Sequence, residues 1–308
     1  MYKNHIRRIS VRMKESKEKA DMDKRQPDQD SDYDNSLKNK KKKNGLFLNI
    51  ILVLCILVFL GCGGYLGVYF YTNHKAETAF SAIKETVEDG DCTDDKGEPV
   101  YVTVQKKQVY KKYASVYEEN PDFIGWLYIY GTRIDYPVMY TPNDEEYYIH
   151  RNFNGEYSAA GTLFAAANCS PTGEVSDNVI LYGHNMKAGS MFHDLLKYED
   201  ENFYKEHKTI IFDTLDGPGT YTVIAAFYTK AYPEDDTEHY NIYSFINAES
   251  ETAFDDYVSR AKVNTPYTIE ETASYGDHLL TLSTCAYHTD NGRFVVVAKK
   301  IDNSSRLQ

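Results

Sequence analysis

Leu46 to Tyr71 reads LFLNIILVLCILVFLGCGGYLGVYFY, a run of 26 residues without a charge. About 20 such residues suffice to cross the hydrocarbon of a bilayer as a helix. The run therefore fixes the plan of the chain as a transmembrane helix over 46–71 with a polar segment on each side. Lys38 and Lys40 to Lys43 precede it, whereas only His74 and Lys75 follow before acidic residues appear. The bias of basic residues toward the cytoplasmic face places the N-terminus inside and everything beyond about residue 72 outside, so the expected location is the cell membrane, single-pass. A cleaved signal peptide is the competing reading. The length of the apolar run and of the basic tail before it favour a retained anchor.

Charge divides along the same line. Of 34 Lys or Arg and 46 Asp or Glu, the first 45 residues hold 14 and 8, leaving 20 basic against 38 acidic residues for the rest. A polar, charged segment poor in large apolar groups is expected to be a disordered tail over 1–45. The acidic remainder argues against nucleic acid as partner, because phosphate binding needs a basic face. A cationic partner such as a free amine suits it better.

Beyond the anchor, residues 72–119 form a linker with two predicted helices, Ala76 to Glu88 and Gln105 to Glu118, separated by a Gly/Asp-rich turn at Gly90 to Gly97. From residue 120 to 302 the texture changes to short runs rich in Tyr, Ile, Val and Phe: IGWLYIY, RIDYPVMY, GTLFAAA, NVILYGH, TIIFDT, TYTVIAAFYT, HLLTLSTC and RFVVVAKKI. Eight such strands broken by Gly, Pro and Asn predict a closed barrel, mainly β with added helices. A long helix is expected over Ile246 to Lys262 and a shorter one over Gly189 to Lys197. Residues 303–308 are a C-terminal tail.

The pentapeptide Thr281-Leu282-Ser283-Thr284-Cys285 ends one predicted strand, and Arg293 opens the next, with the turn-like Thr289-Asp290-Asn291-Gly292 between them. Neighbouring strands would bring a thiol and a guanidinium together, a pairing suited to attack on a carbonyl. Cysteine at a strand end is more often packing than nucleophile. Here the polar Thr281, Ser283 and Thr284 beside it give the thiol access, and Arg293 supplies a cation. For the acid and base, His184 leads over His288. It follows the strand Asn178 to Tyr182 through Gly183, where a scaffold holds a side chain at the edge of a cleft. His288 is nearer Cys285 in sequence but falls in a loop. Arg293 would stabilise developing negative charge on the attacked carbonyl. Cys55 and Cys62 lie in the span, and a Cys92–Cys169 bridge stays open. No metal-ligand spacing, phosphate-cradling loop or dinucleotide motif occurs, so neither a metal nor a cofactor is expected. The cluster Glu234-Asp235-Asp236 reads as a solvated loop.

YGHNMKAGSMF at Tyr182 to Phe192, TLSTC at Thr281 to Cys285 and RFVVVAKK at Arg293 to Lys300 closely resemble the sortases, specifically class B. Asn120 to Leu127, Ile134 to Val138 and Gly161 to Phe164 add to the likeness, which covers roughly 76–302. The resemblance implies an eight-stranded sortase barrel with His184, Cys285 and Arg293 as catalytic trio. Ser283, Thr284 and Asn185 are the candidate substrate-binding set, with Ser283 and Thr284 equally readable as strand residues of no special role. The resemblance also implies a wall-anchoring transpeptidase of Gram-positive bacteria that cleaves a C-terminal sorting motif of secreted proteins after Thr. The acyl group would pass through a thioacyl enzyme to an amine of a peptidoglycan precursor or, in a pilin-polymerising sortase, to a pilin lysine. A thiol hydrolase that uses water and a non-catalytic wall-binding barrel are the alternatives. The basic tail is longer than the resemblance leads one to expect.

Overall fold

The structure, a computed structural model, describes residues 29–87, 92–233, 236 and 238–301. Residues 1–28 of the expected tail, the C-terminal tail, and Glu234 and Asp235 of the acidic cluster lie outside the described residues. By its contacts the chain separates after Val68 into two compact units. A single helix, α1 (Gln29–Thr86), contains the uncharged run. Within it, Phe47–Tyr71 has a mean hydropathy of 2.6 and no part covered by protein, so this helix is long and apolar enough to cross a membrane. Residues 29–45 are helical, where the composition predicted an unstructured tail. Between Pro27 and Gly45 there is neither proline nor glycine, and a lysine-rich sequence adds turns readily to a helix already nucleated by its neighbour.

The first predicted helix of the linker survives as the end of α1, where Phe80 and Ile83 are buried in the main core. The second is corrected. Gln105 to Tyr110 does not continue a helix but forms a hairpin of β1 (Tyr101–Val104) and β2 (Lys107–Tyr110), with Tyr101 opposite Tyr110. Gln105 and Lys106 take φ of 49° and 70°, the mirror-image turn that matches the twist of a two-residue hairpin. Alternation of Val102, Val104 and Val109 fits strands better than the lysines fit a helix. Helical backbone returns only in a 3-10 turn, Lys111–Tyr113, and in α2 (Ala114–Glu119).

All eight expected strands are present and close on themselves. They are β3 (Phe123–Tyr128), β4 (Asp135–Met139), β5 (Leu163–Ala165), β6 (Asn178–Tyr182), β7 (Thr209–Thr214), β8 (Thr220–Lys230), β9 (Leu279–Cys285) and β10 (Gly292–Ile301), in barrel order β10-β8-β7-β3-β4-β5-β6-β9. Two neighbouring pairs, β4 with β5 and β6 with β9, run parallel, and the others are antiparallel. Parallel pairing of β6 and β9 brings their C-terminal ends to the same rim, with Tyr182 opposite Ser283.

A second layer explains why β10 reads as an unbroken apolar run. Phe294, Val296 and Ala298 belong to the barrel core, while Val295 and Val297 pack with Phe254, Tyr257, Val258 and Ala261 of α4 (Glu251–Asn264). A strand buried on both faces loses its alternation. Helix α4 starts at Glu251, five residues later than expected, because the Ser250 side chain caps it by accepting from Ala253 N–H. The shorter predicted helix is a 3-10 segment, Phe192–Glu199, followed by α3 (Glu201–Glu206).

Candidate active site

Strand β9 builds the site by alternation. Leu280, Leu282 and Thr284 point one way, and Leu279, Thr281, Ser283 and Cys285 the other, toward the α4 layer. Along that second row Leu279 packs in the α4 core, Thr281 meets the Tyr257 hydroxyl at 2.8 Å and Ser283 meets Tyr243 at 2.8 Å. Cys285 comes next, at the edge of the layer, and is the first residue of β9 to be only half-buried. Its register partner across the antiparallel ladder is Arg293, and side chains directly opposite stand about 5 Å apart at Cβ. One Arg293 Nη1 donates to the carbonyl of Gly292 at 3.1 Å. The turn between the strands is tight, with Asn291 at φ 55°. A Cβ on Gly292 would lie 2.3 Å from the Ala286 carbonyl oxygen.

His184 arrives from the parallel neighbour β6. At Gly183 the chain passes so close to Leu163 and Phe192 that a Cβ would lie 2.4 Å from Leu163 Cδ2, and glycine lets the turn aim the next side chain into the opening. His184 Nε2 is 2.8 Å from the Ile149 carbonyl. A carbonyl only accepts, so Nε2 carries the proton and Nδ1 is the basic nitrogen. The His150 ring stacks on it at 5.2 Å and 21°. Burial holds the His184 imidazole below the ordinary histidine range; the Ile149 bond opposes this and the like charge of His150 adds to it. Its resting form at neutral pH is therefore neutral.

A cleft of about 300 Å³ holds His184, Cys285 and Arg293 among its walls. Ser283 and Thr284 line it too, but their hydroxyls are engaged internally, Ser283 with Tyr243 and Thr284 donating to the Gly183 carbonyl at 2.7 Å. Asn185 is not one of the cleft walls. Its amide spans from the Cys285 carbonyl to His193. His288 is exposed and packs on Tyr228 at 4.6 Å, outside the cleft. Cys92 and Cys169 are not joined in a disulfide, and Cys169 is buried against the Ala166 carbonyl. Sequence reasoning missed the walls Glu145, Glu146 and Ile149 on the 3-10 segment Glu145–His150, Tyr243 on the 3-10 turn Ile242–Ser244, and Tyr232, which carry no motif. The alternation Ile242-Tyr243-Ser244 after Asn241 resembles any turn. Burial pushes the Tyr243 hydroxyl up to about 12, so it stays protonated.

A thiol with an imidazole and a guanidinium around one groove has the parts for acyl transfer through sulfur. Comparison with known proteins agrees. The sortase domain model matches residues 127–301. Sortase B of Listeria monocytogenes is 35% identical over 263 residues, covering 83% of this chain and 97% of that protein. The chain belongs to the sortase family. Staphylococcus aureus sortase B is 26% identical, over 82% of this chain and 95% of its own length. Among solved structures, sortase B from Bacillus anthracis in complex with AAEK1 superposes with a TM-score of 0.62 at 27% identity, covering 76% of this chain and all of that one.

These class B relatives account for the barrel and its order of motifs. As a sortase of class B, the protein is a cysteine transpeptidase of the kind that anchors proteins to the cell wall. At the β6 and β9 rim His184, Cys285 and Arg293 all line one cleft.

Proposed function

We propose that Cys285 is the nucleophile, His184 the acid and base, and Arg293 the oxyanion donor of a transpeptidase acting on the C-terminal sorting motif of secreted proteins. The observation that carries this reading is the register of Cys285 opposite Arg293 on paired strands, with His184 in the same cleft. As the sulfur bonds to the carbonyl carbon of the motif threonine, the thiol proton passes to the neutral imidazole. Arg293 meets the charge growing on the oxygen, a contribution of about 3 to 4 kcal/mol for one well-placed donor. Collapse breaks the C–N bond, and the imidazolium gives its proton to the leaving amine. In the second half an acceptor amine, from a peptidoglycan precursor or a pilin lysine, attacks the thioester. It gives its proton to His184, and the C–S bond breaks to release a thiolate that takes this proton back from the imidazolium. The acidic outer domain favours a cationic acceptor.

The basic residues before the apolar helix favour a cytoplasmic N-terminus and an extracellular barrel. A tether of this kind concentrates enzyme, exported substrate and lipid-linked acceptor at one surface. The test uses the full-length chain in detergent with a library of threonine-containing sorting peptides, with and without an acceptor amine. An amide product that needs the amine, and a thioacyl adduct on Cys285 by mass spectrometry, are expected. Peptide release to water at equal rate in both arms would make it a thiol hydrolase, and activity in Cys285→Ala would end the reading.

A further inference from the structure

We propose that Asn185, held by His193, is a positioning residue that fixes the end of β9 carrying Cys285 against the turn carrying His184. The inference rests on the catalytic reading above, and it moves Asn185 out of the substrate-binding set.

Asn185 Nδ2 donates to the Cys285 main-chain carbonyl at 3.0 Å. That oxygen can only accept, which assigns the amide nitrogen to this end and leaves Oδ1 toward His193. His193 Nδ1 lies 2.8 Å from Oδ1 and must therefore carry a proton, so the imidazole fixes the orientation of the amide. The turn between the two is itself held shut. Phe192 N–H donates to the His184 carbonyl at 2.9 Å, Asn185 pairs with Met191 as an isolated bridge, and Met191 takes φ 55° with its N–H on the Tyr136 hydroxyl at 3.1 Å. This kink returns the chain so that His193 faces Asn185 eight residues later.

The consequence is geometric. His184 and Asn185 are adjacent in the chain, so a bond from Asn185 to Cys285 ties the backbone of the proton carrier to that of the nucleophile. β6 and β9 are paired only as far as Tyr182 and Ser283, with one further bond from Gly183 N–H to the Ser283 carbonyl at 3.2 Å. Beyond that point the two ends would diverge with the twist of the sheet. The Asn185 bond and the Thr284 hydroxyl on the Gly183 carbonyl carry the pairing on through the two reacting residues. Misplacement by about 1 Å costs roughly 10²-fold in rate.

The test needs no substrate at its first stage. Alkylation of Cys285 by iodoacetamide is followed by mass spectrometry from pH 5 to 9 in the full-length protein, its Asn185→Leu and His193→Ala variants, and His184→Ala. Glu145, Glu146, His150, Tyr182, Tyr232, Tyr243 and Arg293, the other charged and titratable groups around the pair, are untouched by these changes. Asn185→Leu is expected to shift the pH profile toward that of His184→Ala, and His193→Ala to shift it less. In peptide transfer, Asn185→Leu should lose about 10²-fold in kcat with KM within about twofold. A wild-type profile for Asn185→Leu beside an altered His184→Ala overturns the proposal and leaves the catalytic reading intact. An unaltered profile in His184→Ala sinks the catalytic reading, and the proposal with it. Should Asn185→Leu not fold, His193→Ala decides: a shifted profile supports the clamp and a wild-type one overturns it.

Discussion

Two cavities of similar size lie in the barrel domain, and they treat charge in opposite ways. The cleft of about 300 Å³ at the β6 and β9 rim contains Arg293 with no carboxylate at ion-pair distance among the described residues, its one described bond going to the Gly292 carbonyl. The cavity of about 230 Å³ walled by α1, the Lys111–Tyr113 turn and strands β3, β4 and β7 has every charge matched. Lys84 pairs with Asp135, which also accepts from Trp126 Nε1 at 2.6 Å. Lys112 pairs with Asp213 at 2.9 Å, and Asp213 further accepts from the Tyr113 hydroxyl and from Gly219 N–H. Matched charges brace the N-terminal segments to the barrel. On the proposed mechanism, the unmatched guanidinium beside the thiol is held for a charge that arrives only with the reaction. Volume alone would not have separated them.

The largest expected effect is at the rim. Arg293→Met should lower thioacyl formation about 10² to 10³-fold in single-turnover measurements, with an unchanged melting temperature, because it removes a donor and breaks no ion pair. A large loss of stability instead would erase the contrast. Asp213→Ala should do the reverse. It leaves Lys112 partly buried without its partner and two further donors, the Tyr113 hydroxyl and Gly219 N–H, unsatisfied, a cost of about 3 to 5 kcal/mol in denaturant unfolding, while kcat below the transition stays near wild type. Lys84→Ala removes an exposed partner and should cost less than about 1 kcal/mol, since Asp135 keeps Trp126.

Titration of His184 sharpens the comparison further. Its folded pKa lies below the unfolded value of about 6.5, so the unfolded chain takes up the proton first as pH falls. The His184 contribution to stability is therefore neutral above about pH 6.5 and becomes unfavourable below it. His184→Gln should flatten the loss of stability on acidification, read from denaturant midpoints at pH 7 and pH 5. His150→Gln removes the stacked like charge, and should move the His184 limb of the pH–rate profile to higher pH by a smaller amount than burial moved it down.

The barrel was legible because its strands are short β-branched and aromatic runs punctuated by turn residues, and periodicity reports such strands well. Cys285 and Arg293 could be paired from the sequence since only a short turn separates their strands. The hairpin at Tyr101–Tyr110 was not legible: its turn residues are Gln105 and Lys106, which signal helix, and no Gly or Asn marks the positive φ. The scaffold contacts of Asn185 were hidden for another reason. An amide beside His184 can face ligand or scaffold, and its scaffold partners, the Cys285 carbonyl and His193, meet it only through tertiary pairing and the kink at Met191. The cleft walls Glu145, Ile149 and Tyr243 come from short 3-10 segments, Glu145–His150 and Ile242–Ser244, too brief to show a period.

The ladder that sets Arg293 opposite Cys285 runs back through Thr284 with Phe294, Ser283 with Val295 and on to Leu279 with Lys299. Spacing of the reactive pair is thus set by the sheet and owes nothing to the hairpin connection that follows Cys285. Residues between Ala286 and Asn291 are free to lengthen, shorten or change in composition across a lineage without moving the sulfur from the guanidinium. Selection can remodel the approach to the groove for a new peptide or a new acceptor while the chemistry stays where the strands have put it.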